Sequence, residues 1–228
     1  MKQGRISLDT VVSCVVLSAA IVVASNSLWR RQKPATRAEP GKAAAPEYVS
    51  NWKKLAQSGR QIGNVNSPIQ VLVFGDFECP YCRDFHERLI EAAGKVDQDI
   101  GFTFLHYPLP QHRFAKPAAR FFDCVKNPAA ARRLVDVLYQ KQDSLGLKSW
   151  ESFGEEAHLG EENNAVGCAA DTIRVPLIEA GVAAGEEINL RGTPTVIING
   201  WRFASPPAGK LDSIFSSVLS ATANSSSR

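Results

Sequence analysis

The sequence predicts an α/β fold. It has a strand–helix–strand half and a strand–turn–strand–helix half, with an inserted helical block between them and an N-terminal apolar helix in front. Three observations carry this. A β-rich apolar run, Ile69-Gln-Val-Leu-Val-Phe-Gly75, is followed at once by Cys79-Pro80-Tyr81-Cys82 and an amphipathic stretch. From Phe114 to about Glu187 the apolar residues recur with mostly helical spacing. Thr195-Val-Ile-Ile198 meets Trp201 to Ala204 across Asn199-Gly200, a strong signal for a two-residue hairpin turn.

The chain has 228 residues, 44% of them hydrophobic and 21% charged, an ordinary globular composition. The net charge is +3, and four of the basic residues, Arg30, Arg31, Lys33 and Arg37, sit in one short stretch. The remainder is close to neutral, which argues against a nucleic-acid-binding surface.

Val11 to Leu28 is mostly apolar and uncharged, with Lys2 and Arg5 before it and Arg30 and Arg31 after it. Eighteen helical residues reach about 27 Å, just short of a bilayer core of about 30 Å. Residues 1–30 therefore read as a signal-anchor or a cleaved signal peptide. The basic residues after the segment outnumber those before it, a bias that by itself favours a cytoplasmic location for the rest of the chain. Long domains nevertheless translocate despite such flanks. Residues 31–47, rich in Ala, Pro and charge, read as a linker.

The main domain is expected over 48–221, with a polar tail at 222–228. Val49, Trp52, Leu55 and Ala56 are spaced for one face of a lead-in helix between Tyr48 and Gln61. Ile69–Gly75 reads as a strand buried on both sides. The helix after the CxxC places Phe85, Leu89, Ala92, Ala93 and Val96 on one side, and Ile100 to Tyr107 forms a second strand ended by Pro108 and Pro110. Ala118, Phe121, Phe122 and Val125 make one helical stripe; Ala130, Leu134, Val137 and Leu138 make another, with Pro128 near its start. Asp171 to about Glu187 reads as a further helix with Pro176 and Gly181 as weak points. Leu211, Ile214, Phe215, Val218 and Leu219 mark the last one.

A CxxC between a buried strand and a helix start has a specific chemical use. Backbone N–H groups and the positive end of the helix dipole stabilise a thiolate at the first cysteine. The second lies one turn in, within reach of a disulfide. Proline at the first helical position gives up an N–H that had no partner there. Cys79 is thus the expected nucleophile and Cys82 the resolving thiol. The competing readings are a zinc site and a purely structural disulfide. Zinc wants four ligands, often in two CxxC pairs, and no second pair or histidine pair is present.

Asp76-Phe-Glu-Cys-Pro-Tyr-Cys82 together with Gly192-Thr-Pro-Thr195 resembles the thioredoxin superfamily. Within it the chain is similar to the DsbA-like oxidoreductases. The further marks are Tyr107-Pro-Leu-Pro110 with His112 after the second strand, and a helical insertion at about 112–168. The resemblance, over roughly Trp52 to Leu219, implies a thioredoxin-like fold and a cis Thr193–Pro194 bond. That proline would lie against the CxxC, leaving the neighbouring backbone free to pair with an extended substrate. It also implies that Thr193, Pro80 and Tyr81 tune the redox pair. Two positions depart from the pattern. Val73 stands where thioredoxins carry a buried acid, and Tyr81 stands where the strongest oxidants carry histidine. Pro-Tyr also occurs between the cysteines of glutaredoxins, which work reductively.

Cys124 and Cys168 bracket the helical block and read as a second, structural disulfide, as in some DsbA-like proteins. Two buried free thiols are the alternative. Cys14 reads as a small apolar residue of the N-terminal run. His86 is expected at the surface, and His106 and His112 in structural roles. Phe85, Trp201 and Phe203 are candidates for an apolar surface around Cys79, or for core packing.

The expected function is a thiol–disulfide oxidoreductase that introduces disulfides into exported proteins, extracytoplasmic and anchored by its N-terminal helix. Its partners would be cysteine-bearing substrate proteins and a membrane redox partner. It needs no cofactor, since the electrons pass through the cysteines. A reductase or isomerase of the same fold, or a non-catalytic peptide-binding module, are the alternatives.

Overall fold

The structure, a computed structural model, describes residues 46–96, 100–170, 176–203 and 210–226. The expected N-terminal helix and nearly all of the expected linker lie outside them. Among the described residues no helix is long and apolar enough to cross a membrane.

The elements run β1 (Glu47–Tyr48), α1 (Trp52–Ala56), β2 (Arg60–Gln61), β3 (Gln70–Gly75), α2 (Pro80–Ala93), β4 (Gly101–His106), α3 (Ala115–Cys124) and α4 (Pro128–Gln140). After a 3-10 turn at Gln142–Ser144 come α5 (Trp150–Glu156), a 3-10 segment at Gly160–Val166, α6 (Gly167–Ala170), α7 (Pro176–Glu187), β5 (Thr195–Ile198), β6 (Trp201–Phe203) and α8 (Leu211–Ser226). The six strands form one mixed sheet in the order β1-β6-β5-β3-β4-β2. Strand β3 is parallel to β4 and antiparallel to β5.

The sheet is buried on both faces, which is why β3 reads as an unbroken apolar run. Alternate side chains leave opposite sides of a strand. Val71 and Val73 therefore join Phe104, Val196 and Ile198 in a large core with Phe85 and Leu89 of α2, Phe121 and Phe122 of α3, Leu134 and Leu138 of α4, and Phe215 of α8. Leu72 and Phe74 face the other way, onto Leu55, Leu105, Ile197 and Ala184. The result is three layers, helix on sheet on helix.

Two glycines permit this packing. A Cβ on Gly181 of α7 would sit 2.5 Å from the carbonyl oxygen of His106, so only glycine lets the helix lie this close to β4. Asn199 and Gly200 both have positive φ, 45° and 90°, and make the turn that pairs β5 with β6.

The lead-in helix is shorter than the spacing implies. Only Trp52–Ala56 is helical; Glu47–Tyr48 pairs with β6 and Arg60–Gln61 with β4. The apolar stripe is used as expected, with Leu55 in the smaller core and Trp52 and Ala56 packed against it. The ends, however, are claimed by open sheet edges that the pattern could not show. Pro176, read as a weak point, is the first described residue of α7, and Gly181 lies inside that helix. Residues 171–175, also read as helix, lie outside the described set. α8 runs on to Ser226, into the stretch read as a polar tail.

Candidate functional site: the Cys79–Cys82 corner

Strand β3 ends at Gly75, and the chain turns through Asp76-Phe77-Glu78 into α2. This turn is closed by the Cys79 N–H donating to the Asp76 carbonyl at 3.1 Å. Cys79 is the N-cap, with extended backbone, and Pro80 opens the helix. The Cys79 carbonyl accepts from the N–H groups of Cys82 and Arg83. Both thiols are free and nearly enclosed, at 3% exposed for Cys79 and 1% for Cys82. Tyr81 lies 71% exposed beside them.

Three polar side chains from distant segments hold the corner. Asp76, itself buried, accepts from the N–H of Glu78 at 2.7 Å, from the N–H of Leu109 at 2.8 Å, and pairs with His112 Nδ1 at 2.7 Å. Glu78 accepts from the N–H of Phe114 at 2.6 Å. Gln142 donates to the carbonyls of Phe77 and Cys79, at 2.8 and 3.0 Å. The corner is thus tied to the loop after β4, to the start of α3 and to the turn after α4.

On the other side lies the loop before β5. The Thr193–Pro194 peptide bond is cis. The Cys79 thiol donates to the Thr193 carbonyl at 3.4 Å. Thr195 Oγ1 donates to the Gly192 carbonyl at 2.8 Å and closes the loop on itself.

The two thiols differ sharply in acidity. Cys79 is lowered from 9.0 to about 6, first by the hydrogen bond from the Cys82 thiol. Burial opposes this, while the Thr193 side chain and the backbone N–H groups of Cys82 and Tyr81 add to it. Cys82 is pushed well above its ordinary value, first by burial, then by its hydrogen bond to Cys79 and by the charge there. Near neutral pH the outer sulfur is therefore mostly thiolate and the inner one retains its proton. A thiolate at a helix start attacks disulfide sulfur, and a second thiol one turn away closes the ring.

Cys124, the last residue of α3, and Cys168 in α6 are joined as a disulfide spanning 44 residues. Arg120 adds to this link by donating to the carbonyls of Cys168 and Ala169, both at 3.1 Å. His86, expected at the surface, is buried and pairs with Asp136 of α4 at 2.7 Å. It continues the stripe Cys82, Phe85, Leu89 at helical spacing, so the signal for its burial was present. His106 is buried and pairs with Asp123 at 3.0 Å. Phe85 packs in the core, and Trp201 lies exposed against Tyr48. Gln142 carries no sequence signal of a role at this site. Asp76 and His112 stand in the motifs of the resemblance, Asp76 with Glu78 as a substitute for the missing acid, but their pairing cannot be read from those motifs. Among the described residues no three side chains of the metal-ligating types converge.

The comparisons agree with this geometry. The family model described as Thioredoxin matches residues 55–214, and the chain belongs to that family. Among solved structures, ScsC of Proteus mirabilis in a transitional conformation superposes with a TM-score of 0.60 at 19% identity, covering 93% of each chain. DsbA of Chlamydia trachomatis superposes with a TM-score of 0.58 at 15% identity, covering 81% of this chain and 98% of that one. The fold is thus thioredoxin-like. Among curated proteins, the Na(+)/H(+) antiporter NhaA 3 of Salinispora tropica is 26% identical over 219 residues, 92% of this chain and 33% of the relative. The chain therefore spans about a third of the length of that relative.

Proposed function

We propose that this member of the thioredoxin family is an extracytoplasmic thiol–disulfide oxidoreductase that hands the Cys79–Cys82 disulfide to cysteine-bearing exported proteins. The observation that carries the reading is the split in acidity between two thiols separated only by Pro80 and Tyr81. Cys79 is held at about 6, and Cys82 is held protonated by burial.

In the donating direction a substrate thiolate attacks the Cys79 sulfur of the oxidised pair. The Cys79–Cys82 bond breaks and a mixed disulfide forms between substrate and Cys79. The electron pair leaves on Cys82, which takes up a proton. A second substrate thiolate then attacks the mixed disulfide at the substrate sulfur and releases Cys79 as a thiolate. The substrate loses two electrons and the pair gains them. A membrane redox partner would return the pair to the disulfide, and the apolar segment within residues 1–30 would hold the domain beside it.

Thiolate stabilisation at Cys79 favours the reduced pair and so makes the disulfide more oxidising. A second reading, reductase or isomerase, is favoured by one number. A thiol at about 6 lies nearer the value of about 7 for thioredoxin than the value of about 3.5 for DsbA. Equilibration of the full chain with glutathione buffers separates the two, with the resting state trapped in cells by a thiol-alkylating tag. A potential above the glutathione pool, with the pair found oxidised, supports the donor. A strongly reducing potential with the pair held as thiols overturns it and leaves the second reading.

A further inference from the structure

We infer that the hydroxyl of Tyr139 is the hydrogen-bond donor that receives the Cys82 sulfur when it leaves the Cys79–Cys82 disulfide. The inference rests on the proposed redox function and assigns to α4 a part in the chemistry of α2.

Tyr139 lies in the last turn of α4 and is among the largest fully buried side chains. Its hydroxyl oxygen has no hydrogen-bond partner among the described residues. An orphaned hydroxyl in a packed core costs stability, so its retention asks for a reason. The ring is held firmly. Its centroid lies 5.0 Å from the ring of His86, 5.3 Å from Phe77 and 6.5 Å from Phe104. The hydroxyl end has its space kept open by Gly75, where a Cβ would come within 3.2 Å of the oxygen.

Tyr139 shares its core cluster with Cys79 and Cys82, packed between Gly75 and Phe77 of the segment leading into Cys79 and His86 one turn beyond Cys82. After burial, Cys82 is the first group acting on its hydroxyl, followed by Asp76 and Cys79, and the hydroxyl makes no hydrogen bond to that sulfur in the reduced pair. The titratable groups around the two side chains are Cys79 and His86 of α2 and Asp76 of the turn before it. His86 is paired with Asp136, and Asp76 with His112. Burial, and then the charge on these neighbours, push the pKa of the Tyr139 hydroxyl well above its ordinary value. It therefore stays protonated, as a donor only.

This state sets the chemistry. While both thiols are reduced, Cys82 keeps its proton and asks little of the hydroxyl. When a substrate thiolate opens the disulfide, the electron pair arrives on a buried sulfur, where an anion is costly. The Tyr139 O–H then donates to it without surrendering its proton. The proton that finally neutralises Cys82 comes from water. A stabilised leaving thiolate departs faster.

The test is Tyr139→Phe in the full chain, which removes one oxygen and keeps the ring. The probe is reduced glutathione, and the measured quantity is the rate at which it opens the oxidised pair between pH 6 and 9, read by alkylation of the released thiols. The variant is expected to open about tenfold more slowly, as for a lost hydrogen bond to a charged group. It is also expected to melt no lower than the wild type, since the lost hydroxyl had no partner. Equal rates across the pH range overturn the inference. So does a variant that melts lower or fails to fold, because the hydroxyl would then be structural. A wild-type pair that glutathione does not open overturns the donor reading on which the inference rests, and is told apart by that.

Discussion

Cys79 and Cys82 lie at a helix start with two residues between them, as free thiols, whereas Cys124 and Cys168 lie 44 residues apart and are joined as a disulfide. The residue type is the same; the surroundings differ. The first pair sits where the backbone N–H groups of a helix start, a neighbouring thiol and the Thr193 loop converge on one sulfur and hold it at about 6. Burial drives the other thiol of that pair the opposite way. The second pair ties the end of α3 to α6, beside an arginine that already binds the α6 carbonyls. An asymmetric pair is suited to exchange, while a pair that closes a long loop is suited to constrain the chain.

The most severe way to break this comparison is Cys79→Ser. Exchange activity, measured with a reduced peptide dithiol, should fall by several orders of magnitude, as removal of a nucleophile does. Activity near the wild-type level would refute the assignment and leave a non-catalytic binding module. The double change Cys124→Ala with Cys168→Ala should act on the other side. It should cost about 4 kcal/mol of stability, from the loop entropy of the unfolded chain, seen as a lower urea midpoint. The Cys79 alkylation profile should not move. A moved profile would show that the two pairs are coupled.

The mildest change sharpens the account of acidity. Alkylation of Cys79 against pH should have its midpoint near the value of about 6. Thr193→Val should move that midpoint upward, by about one unit or less, since one stabilising contact among several is lost. Stability should depend on pH with a matching sign. The folded state lowers this thiol from its ordinary 9.0, so the unfolded chain binds the proton more tightly. The contribution is full above about pH 9 and is lost as pH falls through about 6. Chemical denaturation of the reduced protein at several pH values between these limits reads it. A midpoint that does not rise with pH in the wild type contradicts the shift.

Much of the frame was legible because its signals are local. The Ile69–Gly75 run, the proline after Cys79, the Asn199-Gly200 turn and the apolar stripes of α2, α3 and α4 each state a conformation within a few residues. His86 is legible too: its i+4 spacing from Cys82 marks it for burial, against what its polarity alone suggests. The first turn of the domain was misjudged for a different reason. Val49 to Ala56 has a true apolar stripe, yet Glu47 pairs with Arg202 across the sheet edge. Nothing in the local pattern announces that partner.

The sequence by itself determined the kind of chemistry. A CxxC at a strand–helix junction sets which sulfur meets the helix start and which lies one turn in, because helix geometry is periodic and the first N–H groups lack a partner one full turn back. It also determined the layers, because apolar periods name the buried faces. The tertiary structure alone decided what surrounds the sulfurs. Asp76 meets His112, Gln142 meets the Cys79 carbonyl, and Tyr139 joins the core around Cys82 only after α4 and the loop beyond β4 have packed against α2. Periodicity tells a helix which face to bury and is silent on the neighbour it will meet. Acidity depends on that neighbour and on the loss of water, both of which arise only when distant segments close around the site.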